Sequence, residues 1–180
     1  MIIRKAQPSE LGTLMEIYAG ARIFMAETGN PDQWKDSYPP EEKIQEDVER
    51  QVCYVCVQGE EIEGVFSFLP GPDPTYQRIE GGQWLNDEPY AVVHRLAGRG
   101  QARGVADCCL DWAFARCQNL RIDTHRDNRV MRHILEKNGF VPCGIIYVAD
   151  GSERIAFQKT AVKRCTPVNL EIEKREEDGR

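Results

Sequence analysis

The chain has 180 residues, 41% hydrophobic and 29% charged, an ordinary globular composition that is long enough for one well-buried core and short for two. A formal net charge of -6 argues against a general nucleic-acid binder, which needs a basic surface to displace counterions from the phosphate backbone. No uncharged run approaches the roughly 18 residues of a membrane span, and the opening MIIRKAQPSEL lacks the apolar stretch of an export signal, so a soluble, cytoplasmic protein is expected.

Residues 2–6 (IIRKA) read as a short strand. Pro8-Ser9-Glu10 then opens an amphipathic helix, with Leu11, Leu14, Met15, Tyr18 and Phe24 at helical spacing and a stop near Gly29-Asn30-Pro31. A second helix fits Pro40 to about Arg50. VCYVCVQG and GVFSFLPG form the strands of an antiparallel hairpin that turns around Glu60-Glu61. Cys53 and Cys56 make the only CxxC, but three apart on a strand they point to opposite faces, and no second ligand pair accompanies them, so no metal site is expected. The odd total of seven cysteines, mostly inside strands and helices, suits buried thiols in a reducing compartment. The stretch from Pro70 to Pro89, rich in Gly, Pro and polar residues, is too long for a tight turn, and loops of that length are functional or mobile.

From Tyr90 the pattern becomes strand (YAVVHRLA), helix (ARGVADCCLDWAFARC), strand (LRIDTH), helix (DNRVMRHILEKNG) and strand (FVPCGIIYV), with a last strand over RIAFQK. Asn138-Gly139 is a strong helix stop, because glycine takes the left-handed conformation that closes a helix. One domain is expected over 1–160. Beyond it, the tail 161–180, with five basic and five acidic residues and almost no apolar periodicity, reads as a solvated, flexible extension.

The junction QARGVA, residues 101–106, joins the strand at Tyr90 to the helix that follows. A strand that turns sharply into a helix leaves the first helical N–H groups unpaired at the positive end of the macrodipole, which suits an anion and phosphate above all. A Walker loop is excluded, since Gly104-Val105-Ala106 stands where Gly-Lys-Ser/Thr is required. A dinucleotide turn is closer: Gly98, Gly100 and Gly104 follow a strand and Asp123 ends the next, although the glycine spacing is one residue too long.

Gln101-x-x-Gly104-x-Ala106 also resembles the Q/R-x-x-G-x-G/A signature of the GCN5-related N-acetyltransferases (GNAT). Asn128 followed by Leu135-Glu136-Lys137-Asn138-Gly139-Phe140 resembles that family's second motif, an Asn upstream of a terminal K-x-G-F. The similarity covers the order of elements from residue 2 to about 160 and is most specific across 90–140. It implies a single α/β domain with a mixed, mostly antiparallel sheet, splayed central parallel strands and flanking helices. It further implies an N-acetyltransferase that moves the acetyl group of acetyl-CoA, its co-substrate, to a primary amine of a small molecule or peptide by direct attack. Gln101, Ala102, Arg103, Gly104, Val105 and Ala106 would cradle the pyrophosphate, Leu96 and Ala97 would hold the pantetheine arm through their backbone, and Asn128 would bind the cofactor through its side chain. Asn128 also reads as a helix cap, because Asp-Asn before a helix is a common start signal. The partners expected are the amine and, with no nucleic acid or membrane, a second copy of the chain.

An alkylamine is mostly protonated at neutral pH, so direct attack needs a base. His94, Glu80 and Asp123 are available. Histidine's ordinary pKa of about 6.5 suits the task, and the alternation in YAVVHRLA places His94 on the face of Leu96. Glu80, in the loop IEGGQW, could reach over the cleft. As an acid for the departing thiolate, Leu135 stands where many family members carry a tyrosine, which leaves Tyr147 on the following strand. The acceptor pocket would draw on Trp34, Tyr38, Tyr76, Glu80, Trp84 and Arg95. Two other readings stay open: a dinucleotide-binding protein using the same glycine turn, and a non-catalytic acyl-CoA sensor.

Overall fold

The expected elements form where the apolar periods place them, in a computed structural model that describes residues 1–161. They are β1 (Ile2–Lys5), α1 (Leu11–Glu27), α2 (Glu41–Glu49), β2 (Cys53–Gln58), β3 (Glu61–Pro70), β4 (Ala91–Gly98), α3 (Val105–Arg116), β5 (Asn119–Thr124), α4 (Arg129–Lys137), β6 (Val141–Tyr147) and β7 (Glu153–Thr160). The charged tail expected over 161–180 lies, apart from Ala161, outside the described residues. Among the described residues, no helix is long and apolar enough to cross a membrane.

The strands make one sheet in the order β1-β2-β3-β4-β5-β7-β6. Every neighbouring pair is antiparallel except β4 with β5, which α3 joins by a crossover. A mixed sheet with one parallel pair is not the doubly wound parallel sheet of a dinucleotide-binding unit, and that alternative is dropped.

Alternation along the strands feeds a core on each side of the sheet. Leu14, Ile17 and Tyr18 of α1 and Ile44 and Val48 of α2 pack with Cys53 and Val55 on one side. Val105, Cys109, Leu110 and Ala113 of α3 and Leu135 of α4 pack with Cys56, Phe66 and Val93 on the other. Each such side chain contributes about 1.5–3 kcal/mol on burial. Cys53 and Cys56 therefore do lie on opposite faces.

The loop between β3 and β4 is clamped onto the sheet. Leu85 N–H donates to Gln158 Oε1 at 2.7 Å, Asn119 Nδ2 donates to Asn86 Oδ1 at 2.9 Å, and the Arg121 guanidinium lies over the rings of Trp84 and Tyr90. This clamp fixes where Asp73 and Tyr76 stand.

The start of α3 approaches the sheet closely because residue 64 is glycine: a Cβ there would lie 2.4 Å from Val105 Cγ1 and 3.1 Å from the Ala97 carbonyl oxygen. Val105 is β-branched and cannot swing aside freely. Gly64→Ala is expected to destabilise the fold by about 1–3 kcal/mol, the usual cost of overpacking. Urea unfolding checks it, and an unchanged midpoint would show that α3 can lift without cost.

Candidate active site

The parallel ladder is short. Strands β4 and β5 pair only at Ala91↔Leu120 and Val92↔Arg121, and then diverge. From Val93 onward the β5-facing backbone edge of β4 therefore has no strand partner, and a cavity of about 470 Å³ opens at the divergence. Its walls are the ends of the two strands, the start of α4, the α1–α2 loop, Asp73 and Thr75 from the long loop, and the β6–β7 turn with Arg154.

His94 projects into this cavity between two carboxylates. Its Nε2 is 2.8 Å from Asp73 Oδ2 and its Nδ1 is 4.0 Å from Asp123 Oδ1. Asp73 caps the turn Pro74–Tyr76, accepting from Thr75 N–H at 2.8 Å and Thr75 Oγ1 at 2.6 Å. Burial alone would raise the Asp73 pKa, but the hydrogen bonds from His94 and Thr75 outweigh it and hold the carboxyl at about 2. An ionised carboxylate only accepts, so Nε2 carries a proton and Nδ1 is the ring nitrogen turned toward Asp123. Asp123 accepts from the Tyr76 hydroxyl at 2.7 Å, and burial followed by that carboxylate pushes the Tyr76 phenol well up.

Strict alternation along β4 does not hold, which corrects the expected relation between His94 and Leu96. Val65 pairs with Ala97 and Ser67 with His94, so two steps along β3 face three along β4, a β-bulge with Arg95 at φ +54°. Leu96 packs into the α3-side cluster, whereas His94 stands with Tyr76 and Asp73. The two share the cavity but not a face. The bulge is anchored by a buried ion pair: the Arg95 guanidinium meets the Asp47 carboxylate of α2, which also accepts from Ser67 Oγ at 2.6 Å.

The junction 101–106 leaves a row of backbone amides open at the start of α3. Gly104, at φ +76°, is the N-cap of α3 and gives it no side-chain cap. None of the N–H groups from Gly100 to Asp107 donates to a partner among the described residues. Gln101, Arg103 and Gly104 are exposed, Ala102 and Ala106 are half-buried, and Val105 is the packing contact. Arg103 makes no ion pair among the described residues. Asp107, whose charge would repel a phosphate, is drawn aside by Asn138 Nδ2 at 2.7 Å and Lys137 Nζ at 2.9 Å, and these contacts lower its pKa. The two motifs singled out in the sequence are thus tied together by a carboxylate.

Two expected catalytic residues do not reach the cavity. Tyr147 pairs with Glu153, and so lies on the opposite face of the sheet from Arg154, which lines the cavity. The Tyr147 hydroxyl donates to Glu80 at 2.9 Å, and Glu80 is fixed by a backbone bridge to Ile145 and by Arg78. Neither Glu80 nor Tyr147 is among the residues that line the cavity. Leu135 is fully buried in the core. Asn128 lines the cavity and caps α4, accepting from Met131 N–H at 3.0 Å while donating to Gln33 Oε1 at 2.9 Å.

A family model described as the acetyltransferase (GNAT) domain matches residues 1–141. The chain belongs to the GNAT acetyltransferase family. A GNAT-family acetyltransferase from Streptococcus agalactiae is 31% identical, with a TM-score of 0.82 over 90% of this chain and 96% of that one. An acetyltransferase from Salmonella typhimurium, solved with its cofactor acetyl-CoA, is 16% identical with a TM-score of 0.60 over 92% and 96%. A ribosomal-protein-alanine N-acetyltransferase from Brucella melitensis is 16% identical with a TM-score of 0.59 over 89% and 99%. At those identities the last two attest to the fold. No curated protein matches the chain by sequence.

Acetyl-CoA is the cofactor of this GNAT family. The open amides of the α3 turn, the Arg103 cation and the edge of β4 that have no partner among the described residues, and the close approach at Gly64 fit its pyrophosphate and pantetheine arm. Sequence reasoning missed Asp73, Gln33 and Arg154. The signal for Asp73 is present in Asp73-Pro74-Thr75, a cap-and-turn pattern.

The Asp73 pKa lies below its ordinary 3.8, so its contribution to stability is complete above about pH 4 and is lost as pH falls through about 2. Unfolding of the acetyltransferase and its Asp73→Asn variant should therefore differ by on the order of 1–2 kcal/mol at pH 6 and converge near pH 2. A difference that persists at pH 2 would mean that Asp73 acts by packing.

Proposed function

We propose that this acetyltransferase transfers the acetyl group of acetyl-CoA to a primary amine of a small molecule or peptide by direct attack. The observation that carries the reading is His94: one ring nitrogen is pinned by Asp73, and the other is free beside Asp123 at the divergence of β4 and β5.

Acetyl-CoA supplies the thioester carbonyl. The amides of Gln101, Ala102, Arg103, Gly104, Val105 and Ala106, with the Arg103 charge, hold the pyrophosphate. The free edge of β4 at Leu96 and Ala97 takes the pantetheine amides, and the N–H near Leu96 faces the thioester oxygen. Asn128 keeps one Nδ2 hydrogen for the same arm. Asp123 attracts the incoming ammonium, and His94 Nδ1 takes its proton while Asp73 stabilises the imidazolium. The imidazolium releases that proton to solvent, the neutral nitrogen forms the new C–N bond, and as the C–S bond breaks His94 carries the nitrogen's second proton to the departing sulfur, so that one proton leaves to solvent and one ends on the thiol. His94 serves as this acid because Leu135 is buried and Tyr147 faces away. A cytoplasmic location is supported by Cys53, Cys56, Cys108, Cys109 and Cys117, which form no disulfide among the described residues.

His94→Gln is expected to lower kcat/KM for the amine by roughly 100-fold or more, the scale of a lost general base, with acetyl-CoA affinity nearly unchanged. Glu80→Gln and Tyr147→Phe should stay close to the parent rate. Thiol release with a panel of amines measures all three, and a His94→Gln enzyme as fast as its parent would remove His94 from the mechanism.

Arg103→Gln should weaken acetyl-CoA binding about tenfold without changing Tm, because it deletes one charge-assisted contact at an exposed position. Gly104→Ala should weaken binding and also cost about 1 kcal/mol of stability, since alanine resists a positive φ. Calorimetric titration with acetyl-CoA reads both, and unchanged affinity in Arg103→Gln and Gly104→Ala alike would overturn the phosphate assignment.

A further inference from the structure

The charges that line the cavity cancel in pairs, with two exceptions. Arg95 is matched by Asp47, Asp73 by His94, and Lys35 by Asp150 at 3.6 Å. Among the described residues, Asp123 has only the Tyr76 hydroxyl and, at 4.0 Å, the His94 ring. Arg154, 7% exposed, donates through Nη1 to Ser152 Oγ at 2.8 Å and the Glu153 carbonyl at 2.9 Å, and through Nη2 to the Gln33 carbonyl at 3.2 Å. All three acceptors are neutral. Among the described residues no carboxylate lies within ion-pair distance of Arg154. Asp150, the acid whose charge it feels, is occupied by Ser152 and Lys35. A guanidinium has five N–H donors, so three bonds leave two for an anion in the cavity.

The sheet places the two residues that carry the unmatched charges as neighbours on one face. Asp123 pairs with Ala156 across β5 and β7, and Arg154 is two residues from Ala156, hence on the same face and diagonal to Asp123. Diagonal neighbours in an antiparallel pair are about 7–8 Å apart at the backbone. From neighbouring positions on one face, a carboxylate and a guanidinium can together hold an ammonium and a carboxylate borne on a single carbon. A plain alkylamine would satisfy Asp123 and leave a buried guanidinium without a counter-ion, which is costly.

We infer that the acceptor is a free α-amino acid, its carboxylate held by Arg154 and its ammonium by Asp123 beside His94. The inference rests on the acetyl-transfer reading above and narrows its amine to one that carries its own anion. Two parallel donors of a guanidinium match a carboxylate, so Arg154 sets specificity through the acceptor's KM.

The test is thiol release from acetyl-CoA with matched acceptors: L-leucine, L-methionine and L-phenylalanine against the amines that lack the carboxylate and against the carboxamides. At least one amino acid should exceed its decarboxylated partner in kcat/KM by about 30-fold or more, the scale of a charge-assisted pair. Arg154→Met should remove that preference through KM and leave the amines unchanged, and Arg154→Lys should restore part of it. Plain amines turned over as well as the amino acids would overturn the inference and leave acetyl transfer standing. So would an Arg154→Met enzyme that loses both classes equally. If no acceptor releases thiol, the acetyl-transfer reading fails for this panel. Calorimetric titration of the same amino acids into the protein with CoA then decides the inference separately: binding lost in Arg154→Met and weakened but retained in Arg154→Lys supports it, and no binding to the parent overturns it. Should Arg154→Met not fold, the parent panel and Arg154→Lys carry the decision.

Discussion

The divergence of β4 from β5 is the constraint on which the rest of the molecule turns. A parallel pair that stops after Val92 and Arg121 exposes backbone groups that a continuous sheet would consume, and unsatisfied groups inside a protein need partners. The fold solves this on one side with helices packed tightly enough to keep the sheet intact, and on the other with an open cavity. Gly64 belongs to the same solution. It lets Val105 seat the first turn of α3 against the sheet, so that the open amides and the unpaired strand edge lie on a rigid frame.

Rigidity at the centre has an electrostatic anchor. The bulge at Arg95 puts a non-glycine residue at positive φ, a conformation that persists only when its surroundings hold it. Asp47, fully buried in α2, supplies that hold together with Ser67. Removing either member would strand the other's charge in the core. The bulged backbone of β4 is therefore fixed from a helix on the far side of the sheet, and His94 is fixed separately by Asp73 from the long loop.

Much of this was legible in the sequence, because period and punctuation are local. The helices, the hairpin, the glycine turn at 104 and the Lys137-Asn138-Gly139 stop could all be read from neighbours within a few residues, and the two motifs point to the same family as the fold does. What could not be read depends on strand register. The bulge leaves no mark in YAVVHRLA, so the alternation argument put Leu96 and His94 on one face when the structure does not. Tyr147 and Arg154 face opposite ways only because residue 147 pairs with 153. Asp73 and His94 lie 21 residues apart and meet because Asn119, Gln158 and Arg121 clamp the intervening loop. Side-chain pairings of that kind are set by the sheet and not by the segment.

The cavity's two halves have different genetic addresses. On the function proposed above, most of the acyl-donor half is one unbroken stretch, from β4 through α3 and β5 to α4, whereas the acceptor half is assembled from the α1–α2 loop, the loop before β4 and the β6–β7 turn. Surface segments tolerate substitution and length change better than the elements they connect. A lineage can therefore exchange one acceptor for another by editing short, separate segments one at a time, while a single contiguous block keeps the donor chemistry constant.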